Sequence, residues 1–116
     1  MSELDGTWVV LGYERDGEMI QPEGDAYLEI DGDRLGGTMG VNRVMGGIGP
    51  EGLTGPMAST LMAGPQHLMD QEYRLIRLLN AADRLVVDDS GMTWLHDGLT
   101  VVEFVRSGTD PGHPSS

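Results

Sequence analysis

Asp70 and Glu72 lie close together in the stretch with the clearest helical spacing, and paired carboxylates are the usual material of general acid–base chemistry. Two positions apart on a helix, side chains point about 200° from one another around the axis, so this pair does not converge on one reacting atom. Ser59 and Thr60 could serve as nucleophiles, yet neither has a Gly-x-Ser-x-Gly setting or evident His and Asp partners. Asp31-Gly32-Asp33 resembles the start of a calcium loop, but the twelve-residue ligand pattern and its closing glutamate are missing, which leaves a hairpin turn. His67, His96 and His113 lack the spacing of a zinc protease motif. There is no cysteine, so thiol catalysis, disulfides and thiolate-held metals are excluded by inventory. Eight methionines accompany a single Phe, and Met39, Met45, Met57, Met62 and Met69 are expected to fill core gaps, not to hold a soft metal. The residue types therefore predict no enzyme, no cofactor and no metal site.

The elements that would position these side chains are mostly short strands. Leu68, Met69, Tyr73, Leu75, Ile76, Leu78, Leu79 and Ala82 recur at spacings of three and four, which predicts one amphipathic helix over residues 66–82 with Pro65 in its first turn. β-Rich runs are expected at 6–13, 26–30, 35–40, 84–88, 92–96 and 99–106, with turn chemistry at Asp31-Gly32-Asp33-Arg34, Asp89-Ser90-Gly91 and Asp97-Gly98. One helix within a series of antiparallel strands predicts an α+β fold. It is a single compact domain over residues 1–106, a curled antiparallel sheet or partial barrel wrapped around the helix, followed by a flexible tail at 107–116.

Nineteen acidic residues against seven basic ones give a net charge of −12, spread along the chain. Such a field repels phosphate backbones and anionic membrane surfaces, so nucleic-acid and anionic-lipid partners are discounted. No window approaches the roughly 18 apolar residues of a membrane helix, and the N-terminal residues lack the pattern of a secretion signal. As given, the chain reads as cytoplasmic; a trimmed precursor of an exported or envelope protein would read the same way. The sequence is silent on oligomeric state.

The glycine-rich stretch at 40–47 holds Asn42 and Arg43. Asn tolerates left-handed backbone angles and its amide bonds neighbouring peptides, so its common role is to pin a bend. The alternative is that Asn42 and Arg43 line a pocket beside Thr60 and Glu72. Glu72 is expected to be a solvated charge near the helix N-terminus, with an inward-turned carboxylate accepting bonds from the Asn42 loop as the other option.

Three pieces, Gly6-Thr7-Trp8, then Gly40-Val41-Asn42-Arg43 followed by Gly46 or Gly47, then Ala58-Ser59-Thr60-Leu61-Met62-Ala63-Gly64-Pro65 leading into a helix that carries Glu72, occur in an informative order. In these the chain, over about residues 4–106, resembles the META domain, the module of bacterial heat-inducible proteins and of a trypanosomatid virulence-associated protein. The family pattern reads Gly-Cys-Asn where this chain has Gly40-Val41-Asn42, and Thr-Arg-Met-Ala-Cys-Pro where it has Thr60-Leu61-Met62-Ala63-Gly64-Pro65. Any redox role tied to that cysteine pair does not carry over. The resemblance implies antiparallel strands around one helix, no defined reaction, and links to stress tolerance, antibiotic resistance and the cell envelope. It marks Asn42, Arg43, Thr60, Met62, Pro65 and Glu72 as motif or interaction residues of a non-catalytic binding module. Its contact loops would be 41–49 and 60–66, and its partner an unidentified protein. Gly6-Thr7-Trp8 is also similar to the first-strand motif of lipocalin-like barrels, which implies a small-ligand carrier as the rival reading.

Overall fold

The computed structural model describes residues 3–107, and the first strand, β1 (Gly6–Arg15), shows how the sheet acquires its curl. Trp8 and Val10 point inward while Val9 and Leu11 point out, the alternation of a half-buried strand. Between Val10 and Gly12 the register slips by one residue against the last strand, so the inward phase moves to Tyr13. A bulge of this kind bends the strand and sharpens its twist. The last strand slips in the same way between Thr100 and Val102, which buries Val101 and Val102 together.

The remaining elements are β2 (Glu18–Ile20), β3 (Tyr27–Asp31), β4 (Arg34–Thr38), β5 (Arg43–Gly49), β6 (Gly52–Leu53), β7 (Ala58–Ser59), α1 (Gln66–Ala81), β8 (Arg84–Val87), β9 (Gly91–His96) and β10 (Leu99–Arg106). All pairings are antiparallel, in the order β6-β5-β4-β3-β1-β10-β9-β8, with β2 added to β1 and β7 to β5. The sheet curls into a nearly closed barrel. Its two ends border one cleft of about 640 Å³, lined by Ile48, Gly49 and Pro50 on one side and Arg84, Leu85, Val86 and Val87 on the other. The radius of gyration, 13.4 Å, is close to the roughly 13 Å of a compact domain this long.

The predicted α+β architecture, a curled antiparallel sheet around one helix, is what the chain adopts. The turns at Gly32-Asp33 and Asp97-Gly98 form where expected, with Asp97, Gly98 and Gly32 at positive φ. Three expectations need correction. Residues 40–47 are not one glycine-rich bend: only 39–42 are irregular, and β5 begins at Arg43, with Val44 fully buried. Gly46, Gly47 and Gly49 hid this strand by thinning out the apolar pattern. Of the methionines expected to fill the core, Met39 and Met57 do so and Met69 is half-buried, but Met45 and Met62 are exposed. Of the predicted tail, only Ser107 falls within the described residues, and its amide donates to Thr7 O.

The third correction concerns the helix. It begins where predicted, with Pro65 O accepting from the amides of Leu68 and Met69. Leu75 and Leu79 are its deepest apolar residues, packed into a core with Trp8, Leu28, Trp94 and Phe104. In its first half the inward positions belong to Gln71 and Glu72, while Tyr73 is 67% exposed. The reason is what lies opposite. The first half of α1 faces irregular backbone whose amides and carbonyls lack strand partners, and buried backbone polar groups must be paired. Gln71 Oε1 accepts from Glu23 N at 2.8 Å, and its Nε2 donates to Glu23 O (3.0 Å) and Met39 O (3.2 Å).

Candidate functional site

Glu72 is 5% exposed, not the solvated charge that its place near the helix start suggested. Its Oε1 accepts from the amides of Val41 (2.8 Å) and Asn42 (2.6 Å), and its Oε2 accepts from Asn42 Nδ2 at 2.7 Å. A carboxylate with three N–H donors is well compensated for its burial. The approach is close because residue 40 has no side chain: a Cβ there would lie 2.7 Å from Leu68 O and 3.3 Å from Glu72 Cβ.

Asn42, 4% exposed, passes the linkage on. Its Nδ2 donates a second bond to Met62 O (3.2 Å), while its Oδ1 accepts from Met62 N (2.6 Å) and from Thr60 Oγ1 (2.9 Å). Both donors and both acceptor sites of the amide are therefore used. By bonding both N and O of Met62, the side chain substitutes for a neighbouring strand. Thr60 completes the clasp: its Oγ1 accepts from Arg43 N (3.1 Å) and its own amide donates to Arg43 O (3.0 Å).

The six motif residues thus separate by role. Asn42, Thr60, Glu72 and the backbone of Met62 form one network. Arg43 joins through its backbone, with its side chain exposed, and Pro65 acts at the helix start. With its hydrogen-bonding capacity used internally, Asn42 pins the chain; it does not present its amide to a pocket. Residues 41 and 64 also touch, since a Cβ on Gly64 would lie 2.8 and 3.0 Å from the two methyls of Val41. The sequence reading missed Gln71, whose position among apolar neighbours gave the only hint. It also missed Asn80, whose Oδ1 accepts from Met57 N at 3.1 Å.

The clasp has an outward product. The loop it holds, residues 60–65, carries Leu61 at 97% exposure and Met62 at 61%. Residues 52–66 contain no Asp, Glu, Lys or Arg, in a chain with 22% charged residues.

Elsewhere, one group of described residues has ligand atoms close enough to share a metal: Asp83, His96 and Asp97, all exposed, within 4.8 Å of one another. His96 Nδ1 lies 3.6 Å from Asp83 Oδ2 and its Nε2 3.6 Å from Asp97 Oδ2, an arrangement that serves equally as a surface ion-pair cluster. His113 lies outside the described residues. Asp70 is exposed and Glu72 buried, so the two carboxylates diverge as their spacing predicts. No helix among the described residues is long and apolar enough to cross a membrane.

Fold and clasp together define a class: a small α+β domain in which a nearly closed antiparallel sheet is tied to a single helix through a buried Asn–Glu pair. The chain belongs to the META domain family, whose model matches residues 2–109. That family is not a known enzyme family and its molecular function is undefined. A protein from Burkholderia xenovorans, solved by NMR, has a similar fold, with a TM-score of 0.73 and 22% sequence identity over 90% of this chain and 83% of that one. No curated protein matches the sequence.

Proposed function

We propose that the protein is a non-catalytic interaction module that binds a protein partner through the clasped loop at 60–65, with Leu61 and Met62 as its anchors. The observation that carries this reading is the pairing of a rigid base with an apolar tip. Half-buried hydrogen bonds to Asn42 fix the loop from beneath, while two large apolar side chains stand in solvent above it. A pre-ordered loop loses little conformational entropy on binding, and apolar anchors entering a partner's pocket supply most of the affinity in such contacts. The uncharged run at 52–66 removes the repulsion that the rest of this acidic surface would offer an acidic partner. The proposed partner would belong to a stress-response or envelope-associated system, the setting that the sequence resemblance implies.

The rival reading, a carrier holding a small ligand inside the barrel, competes with Trp8, Leu28, Trp94, Phe104, Leu75 and Leu79 for the same space. Photocrosslinking from position 61 in cells, followed by identification of the adduct, tests the proposal. One specific partner is expected, lost with Leu61→Asp and retained with Leu99→Asp, a control at an exposed leucine on β10. Equal loss with both substitutions, or no adduct, rejects the loop as the contact.

A further inference from the structure

All seven basic residues of the chain are arginines, and three of them, Arg15, Arg74 and Arg77, line one cleft of about 470 Å³ between α1 and the β1–β2 hairpin. Acidic groups outnumber basic ones by 19 to 7 over the whole chain, yet this lining holds three arginines and two carboxylates, Asp16 and Asp70, while Glu14 and Glu23 beside it are paired with Arg74 and His67. Tyr13 and Gln71, both buried residues, also line it, and Tyr73 and His67 complete it.

The three arginines are not equivalent. Arg74 is committed to the scaffold: its Nη2 donates to Glu14 Oε1 at 2.5 Å and its Nε to Glu14 O at 3.1 Å. Among the described residues no carboxylate lies within ion-pair distance of Arg15 or Arg77. The Arg77 guanidinium lies over the Tyr73 ring, 5.6 Å from its centroid, a contact that orients the group and leaves its N–H donors available. Burial pushes the Tyr13 phenol above its ordinary value of 10.0, against the opposing charges of Arg15 and Arg74, so at neutral pH it is a hydroxyl donor.

The geometry points to this cleft as a binding site for a small oxyanionic molecule. Its carboxylate or phosphate group would sit between Arg15 and Arg77, and its hydroxyl or amino groups would donate to Asp16 and Asp70. The volume is within the roughly 300–1,000 Å³ of small-molecule sites. Overall negative charge does not prevent this, because beyond about 8 Å it is largely screened at physiological ionic strength, whereas guanidinium–oxyanion bonds act at contact. The site shares no residue with the loop at 60–65 and does not depend on its role.

An amide-resolved NMR titration with inorganic phosphate, O-phosphoserine and citrate, each against sodium chloride at equal ionic strength, tests the assignment. Saturable shifts confined to the residues around Tyr13, Arg15, Tyr73 and Arg77 are expected. Arg15→Gln and Arg77→Gln should each weaken binding about tenfold, the loss of one charge-assisted contact. Saturation with the two phosphate probes alone assigns the anion as a phosphate, and with citrate alone as a carboxylate. Shifts that only follow chloride, or saturation that survives the double substitution in a folded protein, overturn the site.

Discussion

Asn42 joins three separate segments through one amide, so its removal has a larger effect than the loss of one hydrogen bond. Asn42→Ala leaves Glu72 Oε2 without its partner in a buried place and the Met62 amide without its partner in a half-buried one. The expected cost is about 3 kcal/mol, measured by denaturant unfolding, because each buried group left unpaired costs roughly 1–3 kcal/mol. Thr60→Val removes only the bridge from Thr60 to Asn42 and Arg43 and should cost less than half as much. Beside the clasp, Val41 and Gly64 behave as a single volume. Gly64→Ala should destabilise by about 1–3 kcal/mol, as overpacking does, and Val41→Ala in the same chain should recover most of the loss. These are the two positions where the family pattern carries cysteines. A Cβ at 64 would be 3.5 Å from Val41 Cβ, at the short end of the roughly 3.5–4.5 Å disulfide range. Val41→Cys with Gly64→Cys should therefore close a cross-link under mild oxidation, seen as the disappearance of both titratable thiols.

At the level of elements, the β1–β2 hairpin is tied to α1 through Glu14. Its carboxylate accepts from the Gly17 amide at 2.8 Å and from Arg74, and these contacts, the Gly17 bond first, hold its pKa below the ordinary 4.5. A depressed carboxylate contributes stability that is present above its unfolded pKa and lost as pH falls through the folded one. Unfolding midpoints should therefore drop with a steeper slope below about pH 4.5, and Glu14→Gln should flatten that slope. The helix also shows what the residues revealed and what they concealed. Leu75 and Leu79 announced its inner face through spacing alone, and its limits were legible to within one residue at its end. Gln71 and Glu72 were not, because their burial depends on unpaired backbone at Glu23, Met39, Val41 and Asn42, segments 30 to 48 residues away in sequence. β5 was concealed for the opposite reason: Gly46, Gly47 and Gly49 leave no side-chain pattern to read. Among the motif residues, the order of the three pieces was legible and a Glu72 turned toward the Asn42 loop stood as the second option, but choosing it over a solvated charge required the fold.

For the molecule as a whole, a net charge of −12 on one small barrel is a standing self-repulsion. Raising sodium chloride from about 0.02 to 0.2 M shortens the Debye length several-fold and should raise the melting temperature, with a smaller rise in a variant made less acidic at exposed positions. The sheet's connectivity has a consequence for how the chain is made. β1 is flanked by β3 and by β10, with Trp8 opposite Arg106 and the Arg106 guanidinium 4.1 Å from the Trp8 ring. During synthesis the first strand leaves the ribosome with β10, the partner on one of its sides, still untranslated, and that side of its tryptophan stays uncovered until the last strand emerges. Wherever elongation pauses before residue 99, the nascent chain presents an open sheet edge, and that interval is when a chaperone or an aggregating neighbour has access to it.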